Sequence, residues 1–142
     1  MDFLPSIPRI KTSTMNNKSA DIPLLKEYAW DFDKDDFLLE NGKFVIVEGL
    51  EALKIRNYFS LKIYKGRFFI YKNKVGSRLK DLIGKDRNYV SLHVKEMIEE
   101  ALLDNVYVTG IEDLEIRYNN GKIIVGFTVL NIYQNYTREI EI

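Results

Sequence analysis

The chain contains no cysteine and a single histidine, His93. With no thiols there is no disulfide framework, no thiolate nucleophile and no ordinary zinc set, each of which needs several Cys or His side chains. An excess of one charge is also missing. Twenty-one Lys and Arg balance 21 Asp and Glu, so the broad positive footprint of a nucleic-acid binder is absent. Proline is scarce and confined to positions 5, 8 and 23. No apolar run is long enough for a signal peptide or a membrane span, which leads to the expectation of a soluble product made in the cytoplasm.

What remains is a chain of 142 residues, enough to bury a core without metals or cross-links. Residues 1–27 hold all three prolines and a polar run with little periodicity, and read as an extended arm that orders against a partner. Residues 28–142 read as a single α+β domain. In its first stretch Tyr28, Trp30 and Phe32 alternate with Ala29, Asp31 and Asp33, the period of a strand with one buried face, and Asn41-Gly42 favours a tight hairpin turn. Over 48–63 the apolar residues Leu50, Leu53 and Leu61, with Ala52, Ile55 and Phe59, trace two adjoining helical stripes. A short strand over 67–71 and a brief helix over 77–83, ended by Gly84, precede a second helix over 88–103 with Asn88 as its N-cap. That helix carries Val90, Val94, Met97, Ile98, Ala101 and Leu102 at helical spacing. Two β-rich runs, 106–118 and 122–133, are joined by Asn119-Asn120-Gly121 as a long hairpin, and 137–142 is a further alternating stretch. Helices and antiparallel strands are segregated, as in α+β folds built from a small sheet of hairpins and two main helices.

The candidate chemistry is thin. Asp31, Asp33, Asp35 and Asp36 sit at calcium-loop spacing, yet the sixth position of such a loop holds Asp36 instead of glycine and the twelfth holds Gly42 instead of glutamate. A solvated acidic turn, bonded to its own backbone, is the simpler reading. His93 has no nucleophile motif beside it, and Ser77 and Ser91 are candidates only by type. Glu40, Glu48 and Glu51 supply carboxylates for glycoside hydrolysis, but their spacing brings no pair to the separation that chemistry needs. The glycines form no phosphate-cradling pattern. Aromatic residues among Lys62, Lys65, Arg67, Lys72 and Lys74 would suit single-stranded nucleic acid, and they suit an amphipathic edge strand equally well. No catalytic, cofactor or metal residue is assigned.

Residues 28–53 and 67–85, the second reading RFFIYKNKVGSRLKDLIGK, resemble the small baseplate wedge proteins, or sheath initiators, of contractile phage tails and phage-tail-like bacteriocins. The resemblance covers residues 28–133. It rests on a hydrophobic hairpin like 44–47, a helix like 50–61, a central turn with a basic residue followed by a glycine like Gly76, and a last hairpin like 114–129. In better-known relatives the central turn carries Glu-Pro-Arg, which docks on the wedge core; here Lys65-Gly66-Arg67 keeps only the arginine. The resemblance implies a noncatalytic structural protein that links wedge proteins to the tail sheath and initiates sheath assembly. It would be present in several copies, with tube or hub proteins as further neighbours and with neither nucleic acid nor membrane as a partner. Arg67 and Tyr71 are the expected contacts on the wedge side, and Ile140 and Ile142 on the sheath side. Arg67 reads equally as a charged residue opening a strand, and the tail either exchanges with a partner sheet or pairs with its own. The family's lysozyme-like label keeps a peptidoglycan hydrolase as the alternative reading; a free-standing binding domain is a third.

Overall fold

A computed structural model describes residues 22–63 and 76–142. The chain divides into two compact units, Met1–Arg56 and Asn57–Ile142.

Among the described residues of the first unit, three short antiparallel pairings meet at one point. Strand β1 (Lys26–Tyr28), which begins inside the stretch read as arm, pairs with β6 (Ile46–Glu48). β2 (Trp30–Asp31) pairs with β3 (Asp36–Phe37), and β4 (Leu39–Glu40) with β5 (Lys43–Phe44). At the junction the Ala29 N–H donates to the Val45 carbonyl at 2.7 Å, and the Leu38 N–H donates to the Ala29 carbonyl at 3.0 Å. Each run of chain thus leaves one partner and takes another at its middle residue. Asn41-Gly42 makes the expected turn: both residues have positive φ, 54° and 77°, as a two-residue type I′ loop requires.

The buried face of the first strand is the one without its aromatic rings. Leu25, Glu27 and Ala29 are buried, whereas Tyr28 and Trp30 are half-buried and Phe32 is exposed. The reason is steric: the point where three backbones converge admits a methyl group and no aromatic ring, so Ala29 turns inward and the rings turn out.

Helix α1 (Leu50–Lys62) buries Ala52, Leu53, Ile55 and Leu61, in line with the two stripes. In the second unit Ser77 pins the returning chain to the end of this helix. Its N–H donates to the Ile63 carbonyl at 2.8 Å and its Oγ to the Leu61 carbonyl at 2.7 Å. A 3₁₀ turn (Leu79–Leu82) replaces the brief helix of the sequence reading, with Gly84 at φ 87° behind it. Helix α2 (Arg87–Leu102) buries Val90, Val94, Ile98 and Leu102, one residue per turn. Its cap is Asp86 and not Asn88: the Asp86 carboxylate accepts from the Tyr89 N–H at 2.8 Å, the N-cap to N3 geometry. Asp86→Ala is therefore expected to cost about 1 kcal/mol, seen as a lower urea midpoint at unchanged slope. Arg78 grips Glu100 through two nitrogens, at 3.2 and 2.8 Å, and ties the 3₁₀ turn to α2.

The second unit's sheet has the order β7-β8-β9, all antiparallel: β7 (Val108–Asn119), β8 (Lys122–Asn131) and β9 (Tyr136–Glu141). Asn120-Gly121, at φ 51° and 81°, closes the β7–β8 hairpin as a second two-residue loop. The central strand alternates strictly, with Ile123, Val125, Phe127 and Val129 buried. Asp104 organises entry into the sheet by accepting from the N–H groups of Val106, Tyr107 and Val108 at 2.8–3.0 Å.

Candidate functional site: the regular edge of the C-terminal strand

Among the described residues the β7-β8-β9 sheet has two edges, and they differ. β7 is broken by register shifts between Val108 and Gly110 and between Glu112 and Glu115, and Asp113 within the second has φ 57°. Bulges of this kind, with Glu112, Asp113 and Glu115 alongside, disfavour pairing with another chain. β9 has no such interruption: its register on β8 runs unbroken from Val129↔Tyr136 to Ile124↔Glu141.

The hydrogen bonding of β9 follows from one contact beyond its last residue. The Ile142 N–H donates to the Ile123 carbonyl at 2.8 Å. In an antiparallel ladder only alternate residues bond to a given neighbour, so Tyr136, Arg138, Ile140 and Ile142 direct their backbone groups to β8. Thr137, Glu139 and Glu141 direct theirs outward. The side chains divide in the same rhythm, with Tyr136, Arg138, Ile140 and Ile142 half-buried and the other three exposed.

Contacts on both faces hold β9. On the inner face Asn57, 1% exposed, donates through Nδ2 to the Tyr136 hydroxyl at 2.8 Å, and the Arg138 guanidinium lies 5.1 Å from the centre of the Tyr58 ring. On the outer face Glu139 pairs with Arg117 of β7 and Glu141 with Lys122 of β8. These ion pairs are more than half exposed and contribute at most about 1 kcal/mol each. The Asn57 bond is the stronger anchor, since its loss strands a buried amide. Tyr136→Phe is expected to cost about 1–3 kcal/mol and to raise amide exchange across β9 more than across the β7–β8 hairpin. The turn between β8 and β9 is fixed by Asn131, whose Oδ1 accepts from the N–H groups of Tyr133 and Gln134 at 2.8 and 2.9 Å.

Of the residues singled out from sequence, Ile140 and Ile142 lie side by side on the half-buried face of β9, or just past its end, while Arg67 and Tyr71 lie outside the described residues. The outward backbone groups of Thr137, Glu139 and Glu141 were not foreseen, because which parity faces out depends on how the tail pairs. The tail does pair with its own sheet.

The acidic turn is bonded to itself: Asp31 Oδ1 accepts from the N–H groups of Asp33 and Lys34 at 2.9 and 3.1 Å. His93 packs its ring against Tyr89 at 4.3 Å, Ser77 is engaged with Leu61, and Ser91 donates to the Asn88 carbonyl. Glu40, Glu48 and Glu51 are exposed, with Glu48 at 3.6 Å from Lys26 and Glu51 at 3.6 Å from Lys54. Among the described residues no helix is long and apolar enough to cross a membrane.

An antiparallel sheet with an uninterrupted edge strand presents a regular row of backbone N–H and C=O groups, the feature through which strands add to one another. Comparison with known proteins gives the family. Residues 26–134 match the contractile injection system sheath initiator family, and the chain belongs to it. The chain is also 26% identical over 127 residues to the phage-like element PBSX protein XkdS of Bacillus subtilis (strain 168), covering 86% of this chain and 85% of that one. The role is structural, in a contractile tail, as the sequence resemblance implied. The match offers the lysozyme-like alternative no support, and it ends two residues before β9 begins.

Proposed function

We propose that the protein is a noncatalytic component of the tail baseplate that links wedge proteins to the sheath and templates the first sheath ring by accepting a sheath strand along β9. The observation that carries this reading is the contrast between the two sheet edges, one bulged and acidic, the other regular. A strand laid against β9 satisfies the outward backbone groups of Thr137, Glu139 and Glu141, and its alternate side chains extend the apolar face beside Ile140 and Ile142. Backbone pairing supplies affinity, and the flanking isoleucines set register.

On the wedge side Arg67 and Tyr71 are the proposed contacts, a cation and an aromatic ring of the types enriched where interfaces concentrate their energy. Several copies around the tail tube, in a particle assembled from parts made in the host cytoplasm, would present several β9 edges in one ring.

Pull-down with separate sheath and wedge proteins tests the division of labour. Arg67→Ala with Tyr71→Ala is expected to weaken wedge capture at least tenfold and leave sheath capture intact; Ile140→Ser with Ile142→Ser is expected to do the reverse. Equal loss of both partners in either variant would contradict the assignment.

A further inference from the structure

The outward backbone groups of β9 belong to Thr137, Glu139 and Glu141, and the side chains of these residues lie on the outer face of the sheet. Register sets Glu115, Gly126 and Glu139 in one row across that face, and Arg117, Ile124 and Glu141 in the next. Gly126 contributes no side chain to its row. A furrow of about 380 Å³ opens over it between Glu115 and Glu139, with Asp113, Thr128 and Thr137 on its walls. The two carboxylates of β9 are half engaged. Arg117 bonds Glu139 through Oε2, and Lys122 bonds Glu141 through Oε1 at 3.2 Å, so Glu139 Oε1 and Glu141 Oε2 accept no bond among the described residues. Asp113 and Glu115 have no ion-pair partner among the described residues. The outer face beside β9 therefore keeps a surplus of negative charge.

That surplus decides what can pair with the edge. A second copy of the chain is the competitor always at hand, since every regular edge can pair with itself. Two β9 strands joined antiparallel through all three outward residues would place each Glu139 opposite its symmetry mate and each Glu141 opposite Thr137. Like charges directly opposite on neighbouring strands destabilise the pair, and opposite charges stabilise it. An incoming strand with Lys or Arg facing Glu139 and Glu141 reverses the sign of the interaction, because each cation donates to a carboxylate oxygen that Arg117 and Lys122 leave open. Strands lie about 4.8 Å apart, so a long cationic side chain facing Glu139 also brings its charge toward the furrow, where Asp113 and Glu115 add to the attraction. The intervening residues of the incoming strand fall on the other face, beside the half-buried Ile140 and Ile142, and there apolar side chains fit.

Taking β9 as the accepting edge, which rests on the function proposed above, we infer that its occupant is a strand of another protein in which basic residues alternate with apolar ones, and that Glu139 and Glu141 keep β9 from pairing with itself. Two end-capped peptides test this on the full chain: Thr-Lys-Val-Lys-Val-Thr, and the same sequence with Glu in place of both Lys. The readout is hydrogen exchange at the N–H groups of Thr137, Glu139 and Glu141. The lysine peptide is expected to protect all three and to bind about tenfold more tightly than the glutamate peptide at low salt. The gap should narrow in about 0.5 M salt and reverse in the Glu139→Lys, Glu141→Lys variant, where continued protection of the Arg138 and Ile140 amides reports that β9 is still paired with β8. The chain alone should show no protection of the three outward N–H groups as its concentration rises. Equal binding of the two peptides, a preference that survives the charge reversal, or outward protection in the chain alone would overturn the charge selection while leaving strand addition at β9 intact. Protection by neither peptide would overturn the accepting edge itself, and the proposed function with it.

Discussion

Removing residues 137–142 is expected to abolish sheath nucleation while α2 and the β7–β8 hairpin stay folded. The truncation takes away the regular edge and exposes the flank of β8, whose Ile123, Val125, Phe127 and Val129 are buried in the intact protein. Those side chains remain packed on one face of the sheet, so circular dichroism should keep its helical signal while negative-stain imaging with sheath protein shows no growth. A finer variant separates edge from bulk. Glu139→Pro removes an N–H that points outward, leaves the bonds of Arg138 and Ile140 to β8 in place, and sits where edge strands tolerate proline. It is expected to stop nucleation with a stability change of about 1 kcal/mol or less, whereas proline at Ile140 removes a ladder bond and loosens β9 itself. Normal sheath growth from both the truncation and Glu139→Pro would refute strand addition at this edge.

The second large effect is on stability. Phe127, 2% exposed at the middle of β8, is opposite Arg138 of β9 and one step from Val125 and Val129 on the buried face. Phe127→Ala is expected to cost about 3–5 kcal/mol, a large share of the 5–15 kcal/mol that holds a domain together. Phe44→Ala removes the same side chain from a position 59% exposed and is expected to cost about 1 kcal/mol or less, although both residues are aromatic and both lie in antiparallel strands. Urea titration of the two variants checks the contrast, and similar midpoints would show that the burial assigned to the sheet is wrong.

Much of the architecture was legible because its signals are local. Asn41-Gly42 and Asn120-Gly121 each encode two consecutive positive φ angles, and the Val90, Val94, Ile98, Leu102 stripe encodes a helix with one buried face. Boundaries were less visible: Asp86 and Asn88 are both good caps by type, and only the carboxylate bond to Tyr89 distinguishes them. The inward face of the first strand was not legible, for a physical reason. Aromatic alternation normally reports burial, but the three-way junction at Ala29 is a tertiary feature that overrides it.

The candidate site was legible in part. Alternation in the tail predicted a strand, and β9 spans Tyr136–Glu141. It could not predict whether that strand pairs at home or which residues turn outward, since a shift of one residue exchanges the two sets. The ladder bond from Ile142 to Ile123 fixes the parity and moves the interest from the Ile140 and Ile142 side chains to the backbone between them.

The most direct measurement is incubation of the full chain with sheath protein and, separately, with purified cell wall, read by negative-stain imaging and by wall clearing. Sheath rings growing from the protein, with no clearing, are the predicted result. Clearing without sheath growth would contradict the account and return attention to the carboxylates.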